Sequence, residues 1–173
     1  MHRKALRYIA LFLLVCFWVQ GLGAGVQAMG KVPRAPEAKL VAASNFTLRG
    51  LKGNVHRLSD HQGKLVFLHF WTTWCPPCRS ELPTIQQMHN DSDKNKFVVL
   101  AVSVDEPQER VKQYVDNEGH TFPVLLDSDG KIARLYGIRA FPTTIIIDRS
   151  GRIIGRITGA RHWRWSEFLP LIQ

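Results

Sequence analysis

Cys75 and Cys78 stand three residues apart in Trp74-Cys75-Pro76-Pro77-Cys78, and no other side chains of this 173-residue chain have so clear a capacity for chemistry. An apolar run, residues 65–71, ends just before them, and a helix-like stretch, residues 79–90, follows. That context predicts that Cys75 opens a helix, where unpaired backbone N–H groups and the helix dipole favour a thiolate. The thiolate, and not the thiol, attacks a disulfide. Cys78 lies one helical turn further on and can close a disulfide with Cys75. A CxxC pair is also half of a zinc site, and zinc asks for four ligands. The third cysteine, Cys16, falls in an N-terminal apolar segment, and the nearest imidazoles, His69 and His89, do not stand at zinc-finger spacing. The pair therefore reads as a redox centre without metal.

The elements that must position this pair follow from hydrophobic pattern and turn chemistry. Residues 65–71 and 97–104 are continuous apolar runs, the pattern of strands covered on both faces. Residues 45–48 and 55–58 flank Gly50-Leu51-Lys52-Gly53 and predict a β-hairpin. The helix after Cys75 carries Leu82, Ile85 and Met88 at helical spacing, with Pro83 expected to bend it. Asp105-Glu106-Pro107 opens another helix that ends at Gly119. A short strand over 122–126, a turn at 127–130 and a short helix to Tyr136 come next. Residues 143–148 and 153–157 predict an antiparallel pair around Arg149-Ser150-Gly151-Arg152. Residues 163–172 read as a closing helix. The expected fold class is α/β, a central mixed sheet with helices on both faces.

The N-terminus has a different character. Arg3, Lys4 and Arg7 precede an unbroken apolar stretch, residues 8–19, and small residues lead to Val26-Gln27-Ala28. This pattern reads as a signal peptide or membrane anchor over 1–28. Residues 29–39, rich in proline and charge, form a tether to a domain over 40–173. The domain then lies outside the cytoplasm, secreted or anchored to the outer face of the membrane. The formal net charge of +9 is scattered, with no basic run interleaved with aromatics, so nucleic acid is not an expected partner.

At this point the chain resembles the thioredoxin superfamily and, within it, the extracytoplasmic TlpA/ResA/StoA-like branch. The resemblance covers roughly residues 38–173 and rests on separate motifs. The stretch from Phe70 through Cys75 and Cys78 to Pro83 is similar to that branch's active-site signature. Phe141-Pro142-Thr143-Thr144 resembles the cis-proline loop, and residues 105–136 resemble the strand-helix insertion that sets the branch apart. The resemblance implies a thiol-disulfide oxidoreductase whose only redox group is the Cys75–Cys78 pair, with no other cofactor. It implies that Cys75 attacks and Cys78 resolves, that Glu81 tunes the cysteines, and that Trp74, Phe141 and the cis Pro142 meet the substrate. His69 departs from the branch's usual residue. It is expected either as a proton relay to Cys78 or as a satisfied core histidine.

Function divides accordingly. A reductase of disulfides in specific partners, apocytochrome c or a cell-wall enzyme of spore-cortex synthesis, needs electrons from a membrane thiol carrier of the CcdA type, because the space outside the cytoplasm is oxidising. A DsbA-like oxidase or isomerase uses the same cysteines at a higher potential. A thiol peroxidase is suggested by the Thr-x-x-Cys spacing of Thr72 and Cys75, although Leu68 stands where those enzymes carry proline. The expected oligomeric state is monomeric.

Overall fold

The structure, a computed structural model, describes residues 40–172; the expected leader and tether lie outside the described residues. The strands are β1 (Val41–Ala42), β2 (Thr47–Gly50), β3 (Val55–Arg57), β4 (Leu65–Trp71), β5 (Phe97–Val104), β6 (Val124–Asp127), β7 (Thr143–Ile147) and β8 (Arg152–Thr158). The helices are α1 (Pro76–Asp91), α2 (Gln108–Glu118) and α3 (Lys131–Leu135). The strands form one mixed sheet in the order β1-β8-β7-β4-β5-β6-β2-β3. β4, β5 and β6 run parallel, while β7 and β8 on one side and the β2–β3 hairpin on the other are antiparallel. The segment between β5 and β7 thus adds α2, β6 and α3, as the resemblance implies.

The apolar runs are continuous because both faces of the sheet are covered. Leu65, Phe67 and Trp71 of β4, with Phe97, Val99 and Ala101 of β5, turn toward one core that includes Leu82, Ile85 and Met88 of α1 and Val111 and Val115 of α2. Val66, Leu68 and Phe70, with Leu100, Val102 and Val104, turn toward a second core that contains Phe46, Leu58, Ala133 and Tyr136. α1 runs through Pro83 without interruption. α2 begins after Pro107 and stops at Gly119, whose φ of 68° lies in the left-handed region that favours glycine.

The C-terminal segment corrects the sequence reading. Residues 163–172 form two short 3-10 turns, Trp165–Glu167 and Leu169–Leu171, instead of a closing helix. Pro170 lacks the N–H a helix interior needs and disfavours helical geometry in the residue before it. The aromatics are fitted individually to the α1-side core. Phe67 meets Trp163 edge to face at 4.8 Å, and Phe97 lies 5.0 Å from Trp165 and 5.3 Å from Phe168. Phe67 joins strand, helix and tail, so Phe67→Ala is expected to lower the unfolding free energy by about 3–5 kcal/mol in urea titrations, with an unchanged m-value.

Candidate active site

The cysteine loop begins where β4 ends. Cys75 is the N-cap of α1, and its Sγ accepts the backbone N–H of Cys78 at 3.3 Å. Pro76 and Pro77 occupy the first helical positions, where a missing N–H leaves no helical hydrogen bond unmade. No S–S bond joins the two cysteines in this structure, so the geometry described is that of a dithiol. The second thiol is the deeper one, with no solvent exposure. Burial pushes the Cys78 thiol well above the ordinary range, and Cys75 and the charge of Glu81 push it further in the same direction.

Across from Cys75, the Phe141–Pro142 peptide bond is cis. The Phe141 carbonyl oxygen lies 3.8 Å from Cys75 Sγ. Trp74, 63% exposed, stands edge-on to the Phe141 ring at 6.3 Å. Trp74, Phe141 and the cis Pro142 thus come together beside the Cys75 sulfur. A backbone carbonyl, a cis-proline and an exposed aromatic together make a surface on which an extended peptide can lie.

Glu81 lies one turn after Cys78 on α1 and is only 2% exposed. Its Oε1 accepts the indole N–H of Trp163, while Oε2 is buried without a hydrogen-bond partner. Burial pushes this carboxyl up to about 7, against the opposing pull of the Trp163 hydrogen bond and of Arg161. A carboxyl in that range can take and return a proton near neutral pH.

His69 shares a sheet face with Phe67, on which its ring stacks at 5.9 Å. Its Nδ1 is hydrogen-bonded to Thr144 Oγ1 at 2.9 Å, its direct cross-strand neighbour, and its Nε2 has no partner. Complete burial drives the imidazole down to about 3, so it is neutral at physiological pH. No hydrogen bond connects it to Cys78.

Two contributors went unread in the sequence. Glu106, buried just past β5, accepts the Thr73 backbone N–H at 2.8 Å and the Ser103 hydroxyl at 3.0 Å, and also the Thr73 hydroxyl. Asp105, at φ 55°, turns the chain between β5 and Glu106. Glu106 thereby fastens the residue two before Cys75. A signal existed: Ser103 is a lone polar residue near the end of an apolar run, and the parallel β4–β5 register sets Trp71 beside Ser103. Trp163 is the other contributor, and nothing in its local sequence points to Glu81. Among the described residues, no cluster of three or more His, Cys, Asp or Glu side chains is placed to hold a metal ion.

A dithiol at the opening of a helix, facing a cis-proline over a mixed sheet, defines a thiol-disulfide oxidoreductase of thioredoxin-like fold. The chain belongs to the AhpC/TSA family, whose pattern matches residues 41–156. It is 36% identical over 158 residues to the thiol-disulfide oxidoreductase ResA of Geobacillus thermodenitrificans, an alignment that covers 91% of this chain and 88% of that relative. Among solved structures, StoA from Bacillus subtilis superposes with a TM-score of 0.63 at 28% identity, over 70% of this chain and 93% of StoA. The exposed lipoprotein thioredoxin of Streptococcus pneumoniae gives 0.65 at 30% identity, over 75% of this chain and 98% of that one.

Two outcomes follow from the buried carboxylates. Folded Glu81 keeps its proton to about pH 7, whereas its ordinary value is 4.5, so unfolding releases a proton between these limits. Its contribution to stability is therefore complete below pH 4.5 and lost as pH rises to about 7, a change of about 3–4 kcal/mol. His69 acts with the opposite sign, since its stabilisation is present above 6.5 and lost as pH falls. The difference between the unmodified chain and Glu81→Gln isolates the first effect, and denaturation at pH 5 and pH 8 checks it. Glu106→Ala is expected to cost about 1–3 kcal/mol by leaving the Thr73 N–H buried and unpaired. Alkylation of Cys75 should also slow in that variant, with partial recovery in Glu106→Gln, as read from iodoacetamide kinetics.

Proposed function

We propose that this chain is a reductase that works outside the cytoplasm on disulfides of particular partner proteins. The observation that carries the reading is the burial of Cys78 and Glu81 together, which raises both protons' affinities. Strong dithiol oxidants gain their potential from a stabilised reduced form, typically a low-pKa thiolate, and a buried thiol beside a carboxylate works against that.

In the proposed cycle, Cys75 Sγ attacks one sulfur of the substrate disulfide. Cys75 gives up its proton as it attacks, that S–S bond breaks, a mixed disulfide forms, and the departing substrate sulfur takes up a proton in exchange. Cys78 then gives its proton to the Glu81 carboxylate and attacks Cys75 Sγ, breaking the mixed disulfide. Glu81 passes that proton to the departing second substrate sulfur, which leaves as a thiol, and the Cys75–Cys78 disulfide closes. Two electrons have passed to the substrate, and a membrane thiol carrier of the CcdA type returns them. Phe141 and Pro142 present backbone to the substrate chain, and Trp74 covers it. Apocytochrome c cysteines or a cell-wall enzyme of spore-cortex synthesis are the proposed substrates. The extracytoplasmic setting is supported by the leader pattern over 1–28 and by the similarity to an exposed lipoprotein thioredoxin.

The oxidase reading uses the same cysteines and differs in potential. The Cys75–Cys78 couple, equilibrated with glutathione or dithiothreitol, is expected below about −200 mV, and a value near about −120 mV would replace the reductase with an oxidant.

A further inference from the structure

The C-terminal segment returns to α1 and fastens onto it at two points. The Trp163 backbone N–H donates to Thr84 Oγ1 at 3.2 Å, and its indole N–H donates to Glu81 Oε1. Thr84 in turn donates its hydroxyl to the Glu81 backbone carbonyl at 2.8 Å, so donor, hydroxyl and carboxyl form one local unit. The Trp163 ring is 2% exposed and wedged edge-on against Phe67. On its face lies the Arg161 guanidinium, 4.4 Å from the ring, and the same guanidinium is paired with Glu167. The tail therefore holds two donors, the Trp163 indole and the Arg161 backbone N–H, and the Arg161 charge near the Glu81 carboxyl.

We infer that Trp163, with Arg161 stacked upon it, is a positioning residue for Glu81: it fixes one carboxyl oxygen beneath the dithiol and sets the pH at which that carboxyl exchanges its proton. The inference rests on the reading of Glu81 as the acceptor of the Cys78 proton. Its physical basis is the one-sidedness of the indole, which donates and cannot accept. A donor of this kind bonds more strongly to a carboxylate than to the neutral acid, and so opposes the burial that favours the proton. The groups that face Glu81 are consistent with that role. α1 brings Cys78, held protonated by burial, with Cys75 beyond it. β4 brings only His69 to this face of the sheet, kept neutral by burial. The tail supplies the indole donor and the positive charge of Arg161, with Glu167 as that charge's partner. A segment far from the CxxC motif in sequence thus adjusts the acid–base behaviour of the dithiol.

The test uses the full reduced chain and two readouts. In the unmodified protein, the Trp163 indole N–H resonance in nitrogen-15 spectra should titrate near pH 7, together with the break in the pH profile of Cys75 alkylation, and Glu81→Gln should abolish both. In Trp163→Phe that break should move upward by about one pH unit. Arg161→Gln should move it in the same direction, and neither change should have an effect on a Glu81→Gln background. If Glu81→Gln alters the alkylation profile while the indole resonance stays flat, Glu81 acts without Trp163 and the inference is overturned. If Glu81→Gln leaves the profile unchanged, the reading of Glu81 itself fails. The indole titration needs no substitution at Trp163, so it decides the matter even if Trp163→Phe does not fold.

Discussion

Glu81 places a carboxyl group almost out of reach of water, one helical turn beyond an equally buried thiol, and much of the surrounding structure answers to that placement. An ionised carboxylate in such a position is costly unless donors or charges meet it, so the group holds its proton to near neutrality. The Trp163 indole, the Arg161 backbone N–H and the Arg161 charge favour the anion while burial favours the acid, which leaves the carboxyl balanced between its two protonation states. The same burial acts on Cys78. Two groups that both resist ionisation stand one helical turn apart, and the charge of Glu81 adds to the burial that keeps the Cys78 proton in place.

The sheet makes that burial possible. β4 runs down the middle of the molecule, parallel to β5 and antiparallel to β7, and delivers the chain to the start of α1 with both of its faces covered. Glu106 fastens Thr73 in the loop before Cys75, and the cis-proline turn ahead of β7 brings the Phe141 carbonyl to the Cys75 sulfur. Cys75 lies beside the Phe141 carbonyl with the exposed Trp74 next to it, whereas Cys78 is enclosed, so the two thiols differ in depth.

Much of this was legible in the residues. The continuous runs over 65–71 and 97–104 fix two central strands, the Gly50–Gly53 turn gives the hairpin, and the proline pair after Cys75 fits a helix start. Pro142 could be read as cis only through a family resemblance, since an isolated proline before a strand has no such signature. The tail was misread as a helix because its aromatics have the right density, while Pro170 and the individual seating of Trp163 and Phe168 depend on the core they meet. Glu106 and Trp163 were missed for one reason: their partners are distant in sequence, and local pattern describes a residue's own element better than what lies across from it. The cross-strand partner of His69, Thr144, follows from the β4–β7 register, which no local pattern around residue 69 announces.

The account depends above all on the protonation of one carboxyl. Carbon-13 labelling of glutamate side chains, with Glu81→Gln to assign the resonance, measures it directly as a function of pH in the reduced protein. A midpoint near 7 for Glu81 is the predicted result. A midpoint near 4.5, the ordinary carboxylate value, would mean that Glu81 is a permanent anion and does not exchange a proton with Cys78 during turnover.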